Sequence, residues 1–195
     1  MNSPRTSLAL AATAAVLATG CGYQAIPQGE NAVGAAWAEV ENQYQRRADL
    51  VPNLVATVKG YASHEKETLQ AVVDARARAT GVTLSVNDLT PEKLKQFEEA
   101  QGQLKSALGR LLAVSENYPQ LKADGTFRDL QAQLEGTENR IAIARRRYIE
   151  AVRAFNDLVT VPPSSWTNSL FYKKQAKPQF TATAPDAAKA PQVKF

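Results

Sequence analysis

Few residues in this 195-residue chain are of a type and spacing that could do chemistry. Its single cysteine, Cys21, cannot form an intrachain disulfide, so no covalent framework holds the fold. Its single histidine, His64, lies in the stretch HEKET. A zinc-protease helix needs a second histidine four residues on, where Thr68 stands, and a di-iron bundle needs a glutamate three residues earlier, where Tyr61 stands. His64 therefore reads as a surface side chain. Glu98 with Glu99, and Glu135 with Glu138, are near enough in sequence to pair as acid and base, although such pairs more often form a solvated helix face. No second imidazole is available to activate a serine or threonine, and KGYASHEK and GRLLA lack the spacing of a phosphate-binding loop. No catalytic residue, metal ligand or cofactor is expected.

Cys21 has a different chemistry open to it. Arg5 precedes an apolar run from Leu8 to Ala18, and the small residues Ala18, Thr19 and Gly20 lead into the thiol. About twenty apolar residues are needed to cross a bilayer, so this shorter run suits a signal peptide. The pattern resembles a bacterial lipobox, whose cysteine is diacylated and whose preceding peptide bond is cut. Ala18 stands where Leu or Val is commoner, with Leu17 one place earlier. The expectation is a signal peptide over residues 1–20, lipid attachment at Cys21 and a tether over 21–30. An uncleaved weak anchor with a small buried thiol is the alternative. Gly22 replaces the aspartate that retains such proteins in the inner membrane of Gram-negative cells, which favours an extracytoplasmic site on the outer membrane facing the periplasm.

The elements that follow are helical. Val33, Trp37, Val40, Tyr44, Ala48, Val51, Val55, Val58, Ala62, Leu69 and Val72 recur in steps of three and four, broken only at Glu65. This predicts one long helix, kinked at Pro52 or broken near it with Asp49 as a cap. Thr90 and Pro91 open a second helix with the stripe Leu94, Phe97, Gln101, Leu104, Leu108, Leu111, Ser115 and Tyr118, ending at Pro119. A third starts near Thr126, with Asp129 placed as in a capping box, and buries Phe127, Leu130, Leu134, Ile141, Tyr148, Val152, Phe155 and Val159. Arg146 with Glu150 and Arg153 with Asp157 are spaced to pair along its flank. The predicted fold is all-α: an elongated antiparallel bundle of three to four long helices over residues 31–160. A short extension over 161–180 packs on it, either adding a short helix around Trp166 to Tyr172 or draping two aromatic groups over the bundle, and a disordered tail fills 181–195.

Net charge is +4 and the pI about 9.2, and Arg145 to Arg147 form a basic run. Those arginines spread around a helix, so no nucleic-acid partner is expected. Anionic lipid headgroups are a more accessible target, with Lys173, Lys174 and Lys177 adding salt-screened attraction. The best functional clue is a polar row: Asn42, Arg46, Asp49 and Asn53 recur at four, three and four on the face opposite the apolar seam. They form a candidate partner-binding face of directional hydrogen-bonding groups, which Gly60 and His64 continue.

The same residues carry a family likeness. WAEVENQYQRRADLVPNLVATVKGYASHEKETLQAVVDARARA, with LLAVSENYPQLKAD and LQAQLEGTENRIAIARRRYIEAVRAFN, resembles the LemA family of bacterial membrane-associated proteins over about residues 31–160. The resemblance implies a helical bundle outside the cytoplasm and no established enzymatic activity. The resemblance does little to settle mechanism; the expected role is a membrane-tethered interaction scaffold or adaptor, which the resemblance links to envelope stress and protein quality control. Many relatives resemble proteins with an uncleaved transmembrane anchor, whereas this chain has Cys21. Membrane lipid through the N-terminal anchor and an envelope protein are the expected partners, with self-association left open. An enzyme using helix-borne carboxylates, which would need Glu135 or Glu138 in a pocket with a raised pKa, and a structural or lipid-binding spacer stay as alternatives.

Overall fold

The computed structural model describes residues 23–180. The expected signal peptide, the lipid attachment at Cys21 and the tail over 181–195 lie outside the described residues. Among those residues the chain forms six α-helices and no strand. They are α1 (Ala25–Tyr61), α2 (Lys66–Gly81), α3 (Pro91–Ser115), α4 (Pro119–Ala123), α5 (Gly125–Thr160) and α6 (Ser164–Thr167), which runs into a π turn over Asn168–Tyr172. A 3-10 turn, Val86–Asp88, lies between α2 and α3. The long helices alternate in direction, as cross-helix pairs show: Gly29 lies against Phe155 and Leu158, whereas Tyr61 bonds Asp124.

The first predicted helix is in fact two, and the division is not at Pro52. α1 continues through Pro52, whose side chain is exposed. Proline donates no backbone hydrogen bond, which leaves the carbonyl four residues back unpaired. That carbonyl belongs to Ala48, and Arg76 Nε of α2 donates to it at 2.8 Å. The break comes instead at Ala62–Glu65, where the apolar stripe itself falters. Tyr118 donates its hydroxyl to Glu65 there at 3.1 Å. α2 then folds back along α1, so four elements arise from a turn ten residues beyond the proline.

Other boundaries shift for similar local reasons. α1 starts at Ala25, inside the segment read as a tether, because Ile26 is buried and Gly29, without a Cβ, lets α5 approach. Thr90 caps α3 as expected, accepting from Lys93 N at 3.3 Å. Pro119 opens the short α4 instead of only closing α3. α5 is capped by Asp124 and not by a Thr126–Asp129 box: Asp124 accepts from Phe127 N at 2.8 Å and from the Tyr61 hydroxyl at 2.9 Å. Arg146 approaches Glu150 at 3.9 Å, but Arg153 and Asp157 form no ion pair among the described residues.

The buried side chains fall into two clusters along the bundle. One gathers Trp37, Tyr44, Phe97, Tyr148, Phe155 and Phe180 around the N-terminal half of α1 and the C-terminal half of α5. The other gathers Leu54, Val58, Leu104, Leu111, Leu121 and Phe127 where all four long helices meet. Residues after α5 complete the first cluster. Asn156 uses its amide to bond both the N–H and the carbonyl of Lys177, Tyr148 donates to the Pro178 carbonyl at 2.9 Å, and Phe180 enters the core beside Trp37 and Tyr148. Of the two arrangements open for Trp166 to Tyr172, the short helix forms, as α6 and the π turn, and Trp166 and Phe171 are not draped over the bundle. Both are exposed, and Tyr172 makes the inward contact by donating to the Tyr23 carbonyl at 2.6 Å.

Candidate functional site

Asn42, Arg46, Asp49 and Asn53 are all exposed along α1. The Asp49 carboxylate accepts from Gln45 at 2.7 Å, whereas the side chains of Asn42, Arg46 and Asn53 make no hydrogen bond among the described residues. The row therefore presents two amides and a guanidinium outward from a rigid helix. Gly60 and His64 are exposed beyond it.

Sequence reasoning missed the residue next to the row. Arg47 is only 2 % exposed, at the junction of the two core clusters. Its Nη1 donates to Glu138 at 2.7 Å, and its Nη2 donates to the Gln101 side chain at 2.7 Å and to the Gln101 carbonyl at 3.0 Å. Gln101 in turn donates to the Ala79 carbonyl at 3.2 Å, so the guanidinium joins all four long helices. Arg47 Nε has no hydrogen-bond partner among the described residues. Two signals pointed here: Tyr44, Arg47, Val51, Leu54 and Val58 also step by three and four, and Gln101 sits in an otherwise apolar stripe, where a buried amide demands a polar partner.

Above this centre, α3 and α5 leave a groove of about 940 Å³ between them. Leu94, Ile141 and Ile149 supply apolar lining, and Lys95, Glu99 and Arg146 charged lining. Two ion pairs bridge it, Arg145 to Glu98 at 2.6 Å and Lys105 to Glu138 at 3.1 Å, one heptad apart on each helix. Arg145 also lies over the Phe180 ring, 4.2 Å from its centroid. The basic run is thus divided, with Arg145 engaged in packing and Arg146 and Arg147 in solvent.

This geometry does not meet the requirement for carboxylate catalysis. Glu135 is exposed. Glu138 does line the groove, but in the wrong state for an acid. Burial pushes its carboxyl up, and hydrogen bonding and charge attraction from Arg47 and Lys105 more than reverse this, holding it below the ordinary carboxylate range. Among the described residues no group of three or more His, Cys, Asp or Glu side chains could hold a metal ion. Nor is any described helix long and apolar enough to cross a membrane.

The model of the LemA family matches residues 36–195. A protein LemA of Metamycoplasma hominis is 24% identical over 144 residues, covering 74% of this chain and 61% of that protein. Magnetosome protein MamQ 2 of Paramagnetospirillum magneticum is 28% identical over 140 residues, covering 63% of this chain and 52% of its own length. Magnetosome protein MamQ of Magnetospirillum gryphiswaldense is 26% identical over the same coverage. The matched region thus spans between half and two thirds of each of these relatives.

Proposed function

Because the chain belongs to the LemA family, we propose that it is a non-enzymatic, membrane-tethered envelope protein whose helical bundle serves as a scaffold or adaptor for a protein partner. The observation that carries this reading is the polar row. Asn42, Arg46, Asp49 and Asn53 stand in solvent on a 37-residue helix. Directional donors and acceptors on a rigid backbone favour matched recognition, because little ordering entropy is lost when a partner binds. The apolar run from Leu8 to Ala18 and the thiol at Cys21 support attachment to a membrane on the extracytoplasmic side. Fixing the bundle at one end confines the row to a layer beside that membrane, where an envelope partner would be met.

Photo-crosslinking in intact cells tests the reading. A crosslinker placed at Asn42, Arg46 or Asn53 should give one discrete adduct that is lost when neighbouring row residues are changed to alanine. The same adducts from a control position at Arg153 on α5, or pull-down unaltered by the row substitutions, would refute it.

A further inference from the structure

Single apolar side chains on a surface need no explanation, but a cluster does. At the end of the bundle where α1 begins and α5 finishes, Tyr23 is 57 % exposed, Trp166 64 %, Leu170 71 % and Phe171 62 %. All four share this end of the bundle. Tyr23 meets Phe171 edge-on with ring centroids 6.1 Å apart, and Tyr172 fastens Tyr23 through its main-chain carbonyl. Trp166 and Leu170 lie one turn apart on α6 and the π turn, whose inward side is filled by Thr167 and Asn168.

The patch rests on a fixed support. The Asn168 amide donates to the Val159 carbonyl at 3.3 Å and to the Lys174 carbonyl at 2.9 Å, and its oxygen accepts from Lys174 N at 2.9 Å. Lys174 is further tied to Glu30 of α1 at 2.8 Å. The outward direction of these side chains therefore belongs to the folded state.

The chain before Tyr23 indicates what covers them. Cys21 is two residues from Tyr23, a reach of at most about 7 Å, and the run Leu8 to Ala18 lies just upstream. Whether acyl chains on Cys21 or that apolar run enters the bilayer, the tether leaves the lipid beside the patch. Tryptophan and tyrosine favour the headgroup boundary, where an apolar ring and a polar edge are both accommodated, and the exposed Lys173 can extend its ammonium toward anionic headgroups. We infer that Tyr23, Trp166, Leu170 and Phe171 form a foot that seats this end of the bundle in the interfacial layer of the membrane. The inference rests on the tethered reading above and adds an orientation to it. With the foot in the interface, the rise along α1 places the row from Asn42 to Asn53 roughly 30 to 45 Å from it.

The test uses the full chain reconstituted in phosphatidylcholine–phosphatidylglycerol vesicles that contain acyl-brominated lipid. Trp37 is buried and donates to the Leu84 carbonyl, so subtracting the Trp166→Phe signal from wild type isolates Trp166 emission. That emission should shift to the blue, be quenched by bromine and be shielded from aqueous acrylamide. Leu170→Ser with Phe171→Ser should lose the bromine quenching while the chain still floats with the vesicles and keeps its helical circular dichroism. Flotation with Trp166 open to acrylamide overturns the foot alone. So does shielding from acrylamide without bromine quenching, since a second copy or another segment of the chain would then cover the patch. A chain that does not float overturns the tether and the foot together.

Discussion

Arg47 of α1 donates to Glu138 of α5 at 2.7 Å from a position almost sealed from solvent, and this pair sits where the two hydrophobic clusters of the bundle meet. Burying a guanidinium is costly, and the cost is met here by Glu138, Gln101 and the Gln101 carbonyl acting together. Arg47→Ala removes the donor and leaves Glu138 and Gln101 incompletely paired. We expect a loss of about 3 kcal/mol in urea unfolding, and a fall in Tm of roughly 2–4 °C for each kcal/mol. Replacing the centre as a unit, Arg47→Met with Gln101→Leu and Glu138→Leu, should cost far less or nothing, because no buried polar group is then stranded. Equal losses from the single and triple variants would mean that packing volume and not polar satisfaction governs this layer.

The same pair makes stability depend on pH. Glu138 has its carboxyl held below the usual 4.5 in the folded protein. The unfolded chain therefore takes up the proton first as pH falls. The contribution of Glu138 is whole above about pH 4.5 and is lost as pH drops through the lower folded value. Glu138→Gln lacks this titration, so the stability gap between it and wild type should be widest near neutrality and shrink as pH falls below about 4.5. A gap that stays constant across that range would show that the carboxylate is not held by Arg47 and Lys105.

Much of this arrangement was legible in the sequence. The stripes of α3 and α5 are almost entirely buried as periodicity required, and Thr90 caps α3 because Pro91 and Glu92 suit a first turn. The row from Asn42 to Asn53 is exposed as its phase implied. What escaped was set by long-range contacts. Nothing local announces that Arg76 will take the carbonyl freed by Pro52, so a kink or break is expected at the proline although the apolar phase runs unchanged across it. Arg47 escaped notice beside the exposed Arg46, although neighbouring side chains on a helix project about 100° apart and only Arg47 turns into the core. Phe180 completes the core from a polar, proline-containing segment without periodicity, where only the tertiary clamp of Asn156 and Tyr148 decides the outcome.

That clamp gives a third prediction. Tyr148 is fully buried, its hydroxyl donates to Pro178, and burial pushes its phenol up to about 12. A raised folded value means that the stabilisation is complete below the unfolded value near 10 and fades as pH rises toward 12. Spectrophotometric titration should show one tyrosine ionising late, and Tyr148→Phe should remove it at a cost of about 1 kcal/mol. Phe180→Ala should free the segment from its seat and speed tryptic cleavage after Lys174. Unchanged cleavage in Phe180→Ala would place the hold on this segment elsewhere.

The continuity of α1 through Pro52 yields the most specific test, because the compensation is one hydrogen bond from one side chain. Arg76 Nε reaches the Ala48 carbonyl at 2.8 Å, the acceptor that residue 52 would satisfy if it had an N–H. Arg76→Ala should leave that carbonyl without its partner and cost about 1–2 kcal/mol. Pro52→Ala restores the backbone donor within α1, so in that background the same Arg76→Ala change should cost markedly less. A double-mutant cycle in urea measures this coupling directly. If Arg76→Ala costs the same with proline or alanine at position 52, the guanidinium is stabilising the α1–α2 contact through packing, and the helix tolerates its proline by some other means.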